Sequence, residues 1–298
     1  MESGKKITII APSGAIEPSL IDGAADVLRS WGHNVKISAN AKGKLNRFSA
    51  SDAERIADLQ EAINDPWSNV ILCARGGYGL SRIVDKIDFL PLLKNFKLFI
   101  GFSDITAIHN ALSKLGIVSV HGPMAKHIAL EPNSPAVKML KEVLSGAEIH
   151  YCYNNLITQA KCLSAEGVLV GGNLSILYAL RGTPFDLEYR GKILFIEDIG
   201  ERLYHIDRMV QNFRMGGVFD SISGLIVGQF TDCDEDTSFP DGAYGIIADS
   251  IKGLDIPVAW NFPAGHIDNE NMPLLFGAKY RLNVKTLPQQ FSLDQIAY

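Results

Sequence analysis

Cysteine is scarce and scattered. The four in the chain, Cys73, Cys152, Cys162 and Cys233, form no C-x-x-C pair; they read as reduced thiols, not as a disulfide framework or a zinc site. Long apolar runs are missing too, and no stretch approaches the ~20 residues of a membrane span. The first apolar run, in MESGKKITIIAPSG, is ended by Pro12 and Gly14 after about five residues, too short for the core of an export signal. A cytoplasmic protein with no membrane partner is expected. There is no basic block, and the formal net charge is −5. That argues against nucleic acid as a partner, because phosphate recognition needs clustered Lys and Arg. No H-E-x-x-H occurs. The stretch DCDEDTSFPDGA, from Asp232, begins like a calcium loop but has Thr237 where Gly is required and Ala243 where the bidentate Glu belongs. Neither a metal nor a cofactor is expected. Internal repeats and low-complexity segments are absent as well.

What is present is ordinary globular material: 298 residues, 47% hydrophobic and 20% charged, enough for one large domain or two smaller ones. The first half alternates. KITIIA, HNVKIS, NVILCA, KLFIGF and IVSVHG are short apolar runs, separated by helical patterns. One helix carries Leu20, Ile21, Ala24, Leu28 and Trp31. Another opens on the capping box Ser51–Glu54 and places Ile56, Leu59 and Ile63 on one face. A short helix is predicted over 81–90, and a further one carries Ile105, Ile108, Leu112 and Leu115. Repeated βα units of this kind predict an α/β fold with a doubly wound parallel sheet covered on both faces. After about residue 128 the alternation weakens. The polar YCYNNLITQAK reads as a linker; KILFIED, GLIVGQF and IPVAWNF read as strands, RLYHIDRMVQNF as an amphipathic helix, and AKYRLNVKTLPQQFSL as an antiparallel hairpin. The predicted organisation is an N-terminal domain over 1–150, a linker over 151–164 and a mixed α/β C-terminal domain over 165–298.

Ser103 stands where the KLFIGF run meets a helical pattern, at the carboxyl end of a parallel strand, where ligands of open α/β sheets bind. Two readings compete. Serine is a preferred helix N-cap; it is also the nucleophile where a strand turns sharply into a helix. The G-x-S-x-G pattern is half met, with Gly101 present and Ile105 in place of the second Gly. ARGGYG, residues 74–79, ends a second strand, and its glycines permit close backbone approach. Paired with the Asp104 N–H, Gly76 or Gly77 would complete an oxyanion hole. The alternative is a tight turn or a phosphate loop, although Arg82 spoils the dinucleotide fingerprint. Among seven histidines, His109 reads as a partly buried helix residue pointing away, and His33, His127, His150 and His205 read as surface. His121 lies at a strand end, and His266 lies in a loop opened by Pro263 and Gly265. An orienting carboxylate is offered by Glu197, Asp198 or Glu201 in KILFIEDIGER.

Seven stretches, in order, carry a family resemblance: IIAPSG, ARGGYG, FIGFSDITAIHNAL, HGPM, GVLVGGNLSIL, LFIEDIGERLYHIDRM and PAGHIDN. The chain resembles the LD-carboxypeptidases, serine peptidases of the muramoyltetrapeptide carboxypeptidase type. The resemblance implies that Ser103 is the nucleophile, Glu197 the orienting carboxylate and His266 the base. It also implies an oxyanion hole at the N–H groups of Asp104 and the Gly76–Gly77 turn. An exopeptidase must hold a free carboxylate, a task suited to Arg forks or backbone N–H groups. Arg75, Gly76, Asn173 and Arg181, near the Gly-rich motifs, are the candidate substrate contacts. The resemblance further implies an N-terminal domain like class I glutamine amidotransferases, a C-terminal domain with a small barrel or swivel-like sheet, and a homodimer. The implied reaction releases terminal D-Ala from cytosolic murein peptides. A branch that hydrolyses microcin C-type peptide–nucleotide antibiotics keeps the same triad. A non-catalytic ligand-binding α/β protein is the alternative from a different class.

Overall fold

A computed structural model describes residues 4–157, 159–233, 236–267 and 269–297. Of the residues named in motifs above, Thr158, Asp234, Glu235 and Asp268, with residues 1–3, lie outside that set. The chain divides into two compact units. One comprises 1–147 with 269–275, the other 148–268 with 276–298.

The first unit is built on a six-stranded sheet. Its strand order is Leu274–Phe276, Ser119–His121, Leu98–Gly101, Val70–Cys73, Lys6–Ile10 and Asn34–Ile37. The pairings from Ser119–His121 through to Asn34–Ile37 are parallel. Val70–Cys73 is buried throughout and Lys6–Ile10 in all but its first residue, as strands covered on both faces must be. The helix Pro18–Ser30 starts on a proline, whose missing N–H costs nothing there, and buries Ile21, Ala24, Ala25 and Leu28. The helix Asp52–Asn64 is opened by the expected capping box: the Ser51 side chain accepts from the Glu54 N–H, and the Glu54 carboxylate accepts from the Ser51 N–H. Because Lys6–Ile10 is followed by a strand on one side of it and then by Val70–Cys73 on the other, the winding direction reverses between those two strands. Their carboxyl ends form a switch point, where this architecture binds ligands. The short helix expected over 81–90 is instead a series of separate 3₁₀ turns, Leu80–Arg82, Val84–Lys86 and Leu90–Leu93. Gly79 before the first and Pro91 within the last favour turns over a regular helix.

The second unit carries an open seven-stranded mixed sheet, ordered Val258–Trp260, Gly224–Thr231, Ile193–Ile199, Leu163–Asn173, Lys279–Lys285, Gln290–Ala297 and His150–Asn154. Among the described residues it does not close into a barrel. Leu163–Asn173 joins the two halves of the sheet. Its first residues pair antiparallel with Lys279–Lys285, and residues 169–173 pair parallel with Ile193–Ile199. The tail forms the expected antiparallel hairpin. The helix Leu203–Met215 buries Leu203, Ile206, Met209, Val210 and Phe213 against this sheet's core. Part of the segment read as a linker is an edge strand, His150–Asn154, pairing with Gln290–Ala297. Its polar composition reflects an edge with one covered face: Tyr151 is buried while His150, Cys152 and Asn154 are exposed. All four cysteines are free thiols, and no described helix is long and apolar enough to cross a membrane.

Candidate active site

In the first unit, Leu98–Gly101 runs out into an extended Phe102 (φ −154°, ψ −174°). Ser103 then adopts φ +67°, a left-handed conformation that costs a side-chain-bearing residue about 1–3 kcal/mol. A 3₁₀ turn, Ser103–Ile105, leads into the helix Thr106–Lys114. The N-cap positions of these two elements fall on Phe102 and Ile105, neither with a side-chain cap. The chain therefore bears the cost of a strained serine without using it as a cap. Gly101 is required beneath it, since a β-carbon there would lie 2.9 Å from both γ-carbons of Ile105.

The Gly76–Gly77 turn packs directly against this elbow. A β-carbon on Gly76 would lie 2.8 Å from Ser103 Cβ and 3.0 Å from its Oγ. Gly77 has φ +111°, open to glycine and strained for other residues. Among the described residues nothing accepts a hydrogen bond from the N–H of Gly77 or of Asp104. Arg75 is exposed and donates to the Ala15 carbonyl at 2.8 Å.

The Asp104 side chain has a part the sequence reading gave only to its backbone. It is buried, and its Oδ2 accepts from the Ser13 hydroxyl and from the Leu80 N–H at 2.9 Å. One carboxylate thus ties together the loops that follow three neighbouring strands. Burial raises its pKa, opposed by these donors. Arg55, also buried, braces the same loops from the helix Asp52–Asn64: its Nη1 donates to the carbonyls of Pro12 (2.6 Å) and Gly79 (3.2 Å), and its Nη2 to Asp52. The only sequence signals were an Asp directly after the serine and a charge in the middle of an amphipathic helix.

His109 is fully buried, not partly. Its Nδ1 meets Ser119 Oγ at 2.8 Å and its Nε2 the Gly101 carbonyl at 2.9 Å. Burial lowers its pKa to about 4. It supports the strand under Ser103 as a neutral ring. His121 is buried, with its ring 5.6 Å from that of Phe102.

The second unit assembles the other candidates. Glu197 lies near the carboxyl end of Ile193–Ile199, fully buried. His266 Nδ1 is 2.8 Å from Glu197 Oε2. Two features allow this. At Gly265 (φ +122°) a β-carbon would lie 2.8 Å from Glu197 Oε2. Opposite Glu197, the pairing of Ile193–Ile199 with Gly224–Thr231 slips between Ile196 and Asp198, an irregularity of the kind that re-aims side chains. There Gly228 admits the Ala264 carbonyl, which accepts from the Gln229 N–H at 3.0 Å, while Phe262 N–H donates to Val227. The loop that carries His266 is thereby stitched to the strand.

The neighbouring carboxylates are engaged elsewhere. Asp198 is buried and accepts from Asn173 Nδ2, Ser175 N–H and Ile199 N–H. Burial, reinforced by the Glu197 charge, raises its pKa to about 7. Glu201 pairs with His205 at 2.5 Å, one helical turn away. Asn173, a candidate substrate contact, is buried and caps the helix Leu174–Ala179 through the Ile176 N–H. Arg181, the other such candidate here, lies over the rings of Phe213 (5.3 Å) and Tyr189 (5.5 Å), 3.7 Å from Asp186. Its flat, weakly hydrated guanidinium suits that packing, and the half-buried side chain is held against the unit's own aromatic rings.

Residues 7–122 match the model of the LD-carboxypeptidase N-terminal domain, and residues 166–282 that of the LD-carboxypeptidase C-terminal domain. The chain belongs to the LD-carboxypeptidase family. Membership makes it a carboxypeptidase of the serine type. The probable murein peptide carboxypeptidase of Bacillus subtilis (strain 168) is 35% identical over 292 residues, covering 95% of this chain and 90% of that one. Among solved structures, the muramoyltetrapeptide carboxypeptidase of Oxalobacter formigenes superposes with a TM-score of 0.88 at 30% identity, over 98% of this chain and 99% of that one. The microcin C7 self-immunity protein MccF, in complex with aspartyl sulfamoyl adenosine, gives 0.83 at 22% identity, over 99% and 97%. At that identity the likeness to MccF shows the fold alone.

Proposed function

We propose that this LD-carboxypeptidase hydrolyses the bond to the C-terminal D-Ala of murein tetrapeptides. Ser103 serves as nucleophile, His266 as base and Glu197 as orienting carboxylate. The observation that carries the reading is the serine held at positive φ against the Gly76–Gly77 turn. Strain of that kind persists where function uses it.

The chemistry follows from the groups. An ionised Glu197 accepts the Nδ1 proton of His266, which leaves Nε2 unprotonated and able to take the Ser103 proton. Ser103 Oγ attacks the scissile carbonyl, and the resulting oxyanion is stabilised by the N–H groups of Gly77 and Asp104. The imidazolium returns the proton to the departing amine of D-Ala. Water, deprotonated by the same ring, then releases the acyl group and regenerates the serine. In this reading the first unit supplies the nucleophile and the second the base. The reading extends to a homodimer in the cytoplasm and to a nucleophile domain akin to class I glutamine amidotransferases. Light scattering checks the first of these.

Ser103→Ala should abolish release of D-Ala from a murein tetrapeptide while the melting temperature stays near that of the wild type. Retained turnover would remove Ser103 from the mechanism. Running the same assay on an aminoacyl-sulfamoyl-adenosine tests the antibiotic-hydrolase alternative.

A further inference from the structure

One peptide group in the first unit is held at both of its polar ends by buried charges. The carbonyl of Gly79 accepts from Arg55 Nη1 at 3.2 Å, and the N–H of Leu80, across the same peptide bond, donates to Asp104 Oδ2 at 2.9 Å. Both charged residues are 1% exposed. The arrangement repeats in the loop after the strand Lys6–Ile10. Arg55 Nη1 donates to the Pro12 carbonyl at 2.6 Å, and Asp104 Oδ2 accepts from the hydroxyl of the next residue, Ser13.

The Gly76–Gly77 turn lies between these anchors. Leu80 fixes its far end. At its near end the Gly76 carbonyl accepts from the Gly14 N–H at 3.1 Å, one residue beyond Ser13. The fit is close at both ends. A β-carbon on Gly14 would lie 2.8 Å from the Gly76 oxygen, and one on Gly79 would lie 2.6 Å from Arg55 Nη1. Burying a carboxylate is costly unless donors meet it, and both donors here meet Oδ2; Oδ1 is buried with no hydrogen-bond partner among the described residues. Hydrogen bonds to an ionised acceptor are about twice as strong as neutral ones, and low dielectric strengthens them further. The residue that carries this anchor follows Ser103 directly in the chain.

We propose that the Asp104 side chain is a positioning residue: through Ser13 and Leu80 it holds the Gly76–Gly77 turn, and with it the Gly77 N–H, in place against Ser103, while Arg55 steadies the other end of the same peptide group. The inference rests on Ser103 being the nucleophile, and it goes beyond that reading, which uses only the backbone N–H of Asp104. The carboxylate touches no reacting atom. It sets where the turn stands. Its effect therefore falls on the transition state, where the oxyanion forms, more than on substrate binding.

The test is the rate constant for labelling of Ser103 by a fluorophosphonate in the full chain, followed by intact mass. That constant does not depend on how much of a sample is folded. A merely structural Asp104 would change the amount labelled and the melting temperature and leave the rate constant alone. Asp104→Ala, which keeps the backbone N–H, should label about a hundredfold more slowly. On a murein tetrapeptide it should lose kcat to a similar extent, with KM within about threefold of wild type. Asp104→Asn can accept both bonds on one oxygen and set its amide nitrogen at the unpartnered position; it should regain about tenfold of that loss. Ser13→Ala leaves both buried charges in place and should slow labelling about tenfold with unchanged circular dichroism. A wild-type labelling rate in Asp104→Ala or in Ser13→Ala would overturn the proposal, as would an Asn variant no faster than the Ala variant. Labelling of the Ser103→Ala chain at the wild-type rate would instead remove the nucleophile reading, and the proposal with it.

Discussion

At Gly76 the space beside Ser103 is set by the absence of one carbon. A methyl group there would press on Ser103 Cβ at 2.8 Å, and one of the two would have to move. Misplacing a reacting group by about 1 Å costs about a hundredfold in rate, whereas overpacking costs about 1–3 kcal/mol of stability. Gly76→Ala should therefore fold, melt somewhat lower and lose kcat by about a hundredfold. A full kcat in a stopped assay would show that the turn does not constrain the serine. The carboxylates allow a similar comparison. Glu197 holds His266 at 2.8 Å, and Glu201 holds His205 at 2.5 Å. Loss of an orienting carboxylate costs on the order of 10⁴ in kcat in the serine-protease precedent. Glu197→Gln should approach that loss, while Glu201→Gln should stay within a few-fold of wild type. The reverse order would mean that the wrong carboxylate has been assigned.

Between strands and helices, His109 links the fold to pH. Its folded-state pKa lies near 4, below the ordinary 6.5, because burial disfavours the charged ring. The unfolded chain therefore binds the proton first. The stabilising contribution is complete above about pH 6.5 and is lost as pH falls toward 4, by up to about 3 kcal/mol. Urea midpoints measured near neutrality and near pH 4.5 should converge more in His109→Gln than in wild type. An equal acid loss in both would assign the lability to other groups. Much at this scale was legible in the sequence. Apolar runs marked the buried strands, Ser51–Glu54 marked a helix start, and the spacing of Leu203, Ile206, Val210 and Phe213 marked a buried face. Motif order pointed to Glu197 and His266, which lie 2.8 Å apart, and to Ser103, which stands at the joint of strand and 3₁₀ turn. What periodicity does not carry is partnership. A buried Arg55 under two loops looks like any helix charge. Arg181 beside a Gly-rich motif looks available until Phe213 and Tyr189 are seen against it. A half-polar edge strand at His150–Asn154 looks like a linker, because only one of its faces is covered.

Across the whole molecule, the first unit is not a contiguous piece of chain. Residues 269–275 belong to it, and Leu274–Phe276 forms the edge of its sheet beside Ser119–His121. A fragment comprising 1–147 would leave the Ser119–His121 strand as an exposed edge, a template for pairing with other chains. Such a fragment should aggregate or remain partly unfolded by light scattering and amide exchange. A monodisperse, fully protected fragment would show that the returning strand is dispensable. The same returning segment sets an order of events on the ribosome. The strand that completes the serine-bearing sheet is translated 128 residues after residue 147, a delay on the order of ten seconds at ordinary elongation rates. By then nearly all of the second unit has also been made, so the sheet that carries Ser103 cannot be finished on the nascent chain before the segment bearing Glu197 and His266 exists.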